Sequence, residues 1–166
     1  GVPCAVYGFT AGVAARMADV NKARPPGHSG IGTTLSANAF SITAMHAMLG
    51  EVITREAYAH MLKMADRLVS GLKSLIARQE LDWHAENVGA RVEFICSRHA
   101  PRNGTQARAA MRPALESAIH LALSNRGVLL APFHNMMLCS PATSEAQVDR
   151  LLRELSNVVG DLQELS

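Results

Sequence analysis

Apolar residues recur at three- and four-residue spacing along several parts of the chain, and each such part reads as a helix with one buried face. The longest runs from a Thr54 cap to about Gln79, with Tyr58, Met61, Leu62, Ala65, Leu68, Leu72, Leu75 and Ile76 on one side. Arg55, Glu56, Lys63, Arg67 and Lys73 lie on the other. Pro113 at a first helical turn and Gly127 at a C-terminal cap bracket a second helix, with Leu115, Ile119, Ala122 and Leu123 facing inward. A third begins at Ser144, which stands in capping-box spacing with Gln147, and carries the stripe Val148, Leu151, Leu152, Leu155, Val159, Leu162 and Leu165. A shorter pattern covers 11–20. Residues 37–49 are apolar nearly all round, which predicts a helix buried on most sides.

Strand signals fill the gaps. Residues 2–9 read as a buried strand ending at Gly8, and 88–96 alternate as a half-buried strand should. Val128–Ala131 and Met136–Ser140 read as two short strands around Pro132-Phe133-His134-Asn135. The stretch from Asn21 to Gly32 and the segment from His99 to Gln106 read as loops. The order is strand, helix, loop, helix, long helix, strand, helix, two strands, helix, which is an α/β or α+β arrangement. The apolar segment Gly1–Phe9 has no capping loop before it and normally sits inside a sheet, so part of a longer chain is expected.

With 48% apolar and 18% charged residues among 166, the chain can build a core and is not disordered in composition. A net charge of +2, dispersed along the sequence, argues against nucleic acid and against an anionic membrane surface. No run of eighteen apolar residues exists, so no transmembrane helix is expected. Cys4, Cys96 and Cys139 are far apart and fit reduced thiols in a cytoplasmic protein. The absence of C-x-x-C and H-E-x-x-H pairs argues against a metal site.

The stretch from His28 to Asn38 is the part richest in candidate chemistry. Glycines and hydroxyls precede a helix, and free N–H groups at a helix N-terminus can hold a phosphate. On pattern alone the signal is weak, and a Gly-rich loop followed by an ordinary cap describes it better. It is not a P-loop, because the Gly-Lys-Ser/Thr ending is missing.

Four motifs, in order and spread over the chain, resemble class III pyridoxal-phosphate-dependent aminotransferases. Gly1-Val2-Pro3 with Ala5-Val6-Tyr7-Gly8 is similar to the strand that follows their Schiff-base lysine. Thr33-Thr34-Leu35-Ser36-Ala37-Asn38-Ala39 is similar to their G-T-[LF]-[SG]-[GA]-N-[PA] motif, with Thr33 in place of the glycine. Arg126 to Pro132 resembles their G-V-x-[LI]-x-P strand, and Ser140 to Asp149 their closing helix. The branch that includes glutamate-1-semialdehyde aminomutase is the most similar.

This resemblance implies a fold-type I enzyme with pyridoxal 5′-phosphate as cofactor. Residues 1–50 would end the cofactor-binding large domain, 51–79 would be a connecting long helix, and 80–166 would be the C-terminal small domain. It implies that Thr34 binds the cofactor phosphate, reaching across from the neighbouring subunit of a homodimer, with Thr33 and Gly32 beside it. It also implies small-molecule amino donors and acceptors, and a transaminase or a 1,2-aminomutase reaction. None of Lys22, Lys63 and Lys73 matches the motif of the Schiff-base lysine, which is expected before Gly1. No catalytic residue is therefore assigned within the chain. The alternative is an inactive piece that acts only as a folding or interaction unit. His134 follows a small-domain strand in a region that can face substrate, or else is a loop histidine bonded to backbone. His46, His60 and His120 read as packing or surface residues, and Arg91 and Arg126 as surface ion-pair partners.

Overall fold

The computed structural model describes residues 2–28, 32, 35–131 and 135–164. It divides into two compact units, Gly1–Thr54 and Arg55–Ser166.

In the first unit, residues 2–10 have no regular structure. Helix α1 (Ala11–Lys22) is capped by Thr10, whose hydroxyl accepts from the Val13 N–H at 3.4 Å. Helix α2 (Ala39–Ala47) is capped by Asn38 and runs into a π-helical turn over Met48–Val52. Neither helix buries a residue. The expected buried strand over 2–9 is thus not formed, and the helix expected to be buried over 37–49 is exposed, with Val6 74% and Phe40 73% accessible. A strand needs a neighbour for its backbone N–H and C=O groups, and no described strand pairs with this segment.

The second unit has its own core. Helix α3 (Arg55–Arg78) buries Met61, Met64, Ala65, Leu68, Val69, Leu72 and Leu75; of the stripe its spacing predicts, Tyr58 and Leu62 are exposed instead, while Met64 and Val69 join the buried face. Strands β1 (His84–Val88) and β2 (Arg91–Ile95) form a hairpin in which Gly89 takes φ +59°. The single strand read over 88–96 is therefore two. The left-handed backbone that a glycine tolerates lets the chain reverse after Val88. The expected loop from His99 holds the start of a short helix, α4 (Gly104–Ala110), capped by Asn103. Helix α5 (Pro113–Asn125) ends in a Schellman motif: Val128 N–H donates to Leu123 C=O at 2.9 Å and Gly127, at φ +71°, to Ser124 C=O at 3.0 Å. That turn directs 128–131 into irregular backbone, so no strand forms there. Strand β3 (Met136–Leu138) pairs antiparallel with β2, giving the order β1-β2-β3.

The pleat sorts the sheet's two faces. Ala85 opposite Phe94, and Val92 opposite Met137, point into the core. Glu86 opposite Glu93, and Arg91 opposite Leu138, point away from it. Trp83 stacks on Phe94 with ring centroids 5.3 Å apart. Helix α3 packs on β1, β2 and α6 (Glu145–Glu164), which also meets α5. The capping box of α6 is formed: Ser144 N–H donates to Gln147 Oε1 at 2.9 Å, and Gln147 N–H to Ser144 Oγ at 3.3 Å. At the α3–α6 crossing a Cβ on Gly71 would collide with the Leu152 side chain, which packs directly on the bare α3 backbone there. Arg67 grips Asp149 through two hydrogen bonds of 2.9 and 2.8 Å, and Lys63 reaches Glu145 at 2.8 Å.

Candidate functional site

The segment around α2 is built by a turn over Leu35, Ser36 and Ala37, with Ala37 at φ +55°. Asn38 holds this turn through every polar atom of its side chain. Oδ1 accepts from Ser41 N–H at 2.9 Å, and Nδ2 donates to Leu35 C=O at 2.9 Å and to Ser41 Oγ at 3.1 Å. Gly32 lies close against Ser36: a Cβ there would come within 3.2 Å of Ser36 Cβ. A bare backbone at that position is what a group held by main-chain N–H donors requires. Of the three residues expected to hold the phosphate, Gly32 lies against this turn. Thr33 and Thr34 lie outside the described residues, as does His134.

A cavity of about 590 Å³ adjoins the turn, lined by residues that include Cys4, Tyr7, Gly32, Ser36, Asn38 and Ser41. Its described lining carries no lysine, arginine or carboxylate. An anion there would have only neutral donors and the positive end of the α2 dipole to meet it. The residues present fit a phosphate group. They offer nothing for the rest of a pyridine cofactor, which needs an amine and an acid.

No lysine supplies that amine. Lys22 pairs with Asp19 at 3.9 Å, Lys63 with Glu145 at 2.8 Å and Lys73 with Glu86 at 3.5 Å, all on exposed surface.

A larger cavity, about 830 Å³, lies in the second unit and is lined by the outward sheet face and α4. Its charges are largely matched within its own wall. Arg91 pairs with Glu93 at 2.8 Å, and His84 faces Glu86 at 3.7 Å. Asn135, 4% exposed and at φ +44°, lines it and donates from Nδ2 to Phe94 C=O at 3.4 Å. Size alone does not make this cavity a reaction site.

Burial pushes the Cys96 thiol up to about 12, aided by the nearby Glu116 charge and opposed by Arg112, and burial also raises Cys139. Neither is a nucleophile at neutral pH. Arg126 is paired with Asp161. Among the described residues no group of three His, Cys, Asp or Glu could hold a metal ion, and no helix is long and apolar enough to cross a membrane. The anchoring by Asn38 and the buried Asn135 were not foreseen. Asn38 could have been, since an asparagine before an apolar run is a cap signal.

In fold, the chain is similar to part of solved fold-type I, class III pyridoxal-phosphate-dependent aminotransferases. In sequence as well it is glutamate-1-semialdehyde-aminomutase-like. It is 41% identical to a glutamate-1-semialdehyde-aminomutase from Pseudomonas aeruginosa PAO1, over 93% of this chain and 35% of that one, at a TM-score of 0.85. One of that enzyme's structures is of a lysine-to-alanine variant in complex with PMP. A β-phenylalanine aminotransferase from Variovorax paradoxus shares the fold at a TM-score of 0.78 and 23% identity, covering 95% of this chain and 35% of that one. The chain thus spans about a third of the length of these enzymes. No protein-family model and no curated protein matches the sequence.

Proposed function

We propose that the chain is part of an enzyme that moves an amino group with pyridoxal 5′-phosphate, either between small molecules or from one carbon to the next within one. The observation that carries this is the 41% identity, over 93% of the chain, to an aminomutase whose structure holds PMP. Residues 1–50 would close the cofactor-binding domain, 51–79 connect it, and 80–166 form the small domain. In this reading the hydroxyl of Thr34, with Thr33 and the bare backbone of Gly32, holds the phosphate, and Asn38 caps the helix behind it. Fixing the phosphate fixes the position of the ring, and so which substrate bond reacts. The cofactor, when bound, supplies the electron sink for the chemistry. His134 would face the substrate side. The phosphate site would be completed in a homodimer. The free, unbridged cysteines suit a cytoplasmic, reducing compartment.

The three lysines of this chain sit in exposed ion pairs, so the lysine that holds the cofactor is expected outside these residues. Taken alone, the 166 residues would be a folding and interaction unit. The test is borohydride reduction with pyridoxal phosphate, applied to the polypeptide as isolated from its source, followed by intact mass and peptide mapping. One pyridoxyl adduct on a lysine outside this sequence is expected. No adduct, or one on Lys22, Lys63 or Lys73, would sink the reading.

A further inference from the structure

We infer that the cavity between the outward face of the sheet and α4 binds a small apolar carboxylate, with the Arg108 guanidinium as its counter-ion. Every residue of this site lies in the second unit, so it stands or falls apart from the cofactor reading. The outward face of β1 and β2 looks across about 830 Å³ at Pro101, Ala107, Arg108 and Met111. That is the volume of a small-molecule site, whereas elements packed only on each other close to interior density. Each carboxylate in the wall already has a partner. Glu93 takes Arg91 at 2.8 Å, Glu86 faces Lys73 at 3.5 Å, and Glu116 accepts from the Arg112 N–H at 3.0 Å. Arg108 differs: its side chain makes no ion pair and no hydrogen bond among the described residues. With Lys73 and Arg112 beside the wall, four cations stand against three carboxylates, an excess that one anion balances. Asn135 adds a donor. It is 4% exposed, its Nδ2 gives one hydrogen to Phe94 C=O at 3.4 Å, and the other meets no acceptor among the described residues. A buried N–H without an acceptor is costly, and a carboxylate oxygen is an acceptor. The guanidinium fork also matches the two oxygens of a carboxylate. A phosphate would bring a second charge towards the three wall carboxylates, so a singly charged group fits better. Ile95, Pro101, Ala107 and Met111 leave the rest of the lining apolar, and the rest of the ligand should be apolar too.

The test compares 3-phenylpropanoate with its neutral amide, 3-phenylpropanamide, which share a shape and differ in charge. Each is titrated into the 166-residue chain, with calorimetry for affinity and amide shifts for location. The acid is expected to bind roughly tenfold more tightly than the amide, with shifts centred on β2 and α4. Arg108 is exposed, so Arg108→Gln leaves the core intact; it should abolish the preference for the acid while the amide binds as before. Arg102→Gln removes the same charge from the same segment but outside the cavity wall, and should keep the preference. Ala107→Phe, which fills the cavity, should weaken both ligands. Equal affinities in the wild-type chain, or no binding of either ligand, would overturn the site. So would a preference that survives Arg108→Gln, or one lost as fully in Arg102→Gln, since the acid would then be answering net charge alone. Shifts centred away from the wall, or ligands indifferent to Ala107→Phe, would place the binding elsewhere and sink the proposal.

Discussion

The two units obey the same local rules and reach opposite ends. Both have capped helices, by Thr10 and Asn38 in residues 1–54 and by Asn103 and Ser144 in residues 55–166. Yet every buried side chain among the described residues lies in the second. Caps and periodicity make helices; burial needs a second element with a complementary face. In 55–166 the stripe of α3 meets a sheet and α6. In 1–54 the helices have 12 and 9 residues, lengths that are marginal in water without packing.

The sharpest way to break this comparison is through the cysteines. Cys4 is exposed, whereas Cys96 and Cys139 are buried with raised pKa values. Alkylation at neutral pH, followed by mass, is expected to modify Cys4 first, with Cys96 and Cys139 slower on the order of a thousandfold because they wait for the core to open. If Cys4 reacted as slowly as Cys139, the first unit would be covered after all.

Core truncation sharpens the same contrast. Leu155 is 0% exposed, so Leu155→Ala should cost about 3 kcal/mol in urea unfolding. Phe40 is larger but 73% exposed, and Phe40→Ala should stay within about 0.5 kcal/mol of zero. A loss above about 1 kcal/mol at Phe40 would show that its ring is packed in solution.

How much of this could be read from the sequence follows the same division. The capping box of α6 and the Pro113-to-Gly127 span of α5 are local signals and they hold, as does most of the stripe of α3, from which Tyr58 and Leu62 fall out. The hairpin was missed because Val88 and Arg91–Ile95 alternate straight through Gly89, so the periodicity looks like one strand while the turn residue says two. Helix α4 was missed because Gly-Thr-Gln-Ala-Arg-Ala-Ala carries no apolar stripe. Its signal was the cap: Asn103 accepts from Gln106 N–H at 3.0 Å, and the Gln106 side chain accepts from Arg102 N–H at 2.7 Å. The strand over 2–9 was misjudged for a different reason. An apolar run tells what a segment prefers to touch, and among the described residues no strand pairs with it. The motif over Thr33–Ala39 was legible by resemblance; the hydrogen bonds with which Asn38 fastens the turn after it needed coordinates.

The smallest expected effect is electrostatic and concerns how the second unit is tied together. The hydrogen bond from Arg67 holds the Asp149 carboxyl below its ordinary range, and the hydrogen bond from Lys63 does the same for Glu145, with Arg67 adding to it. A carboxylate whose folded-state pKa is depressed favours the folded chain above its unfolded pKa. That contribution is lost as pH falls through the folded value. It should therefore be whole at pH 7 and begin to fade below about pH 4, where unfolded carboxylates take up protons. These groups are solvent-exposed, so screening keeps the effect small. Wild type should melt no more than a few degrees above Arg67→Gln at pH 7 and low salt. The gap should close on acidification and narrow in high salt. A gap that instead persisted at pH 2 would mean that Arg67 stabilises the α3–α6 contact by packing its aliphatic stem, and that the fastening of the folded unit is apolar even at its charged rim.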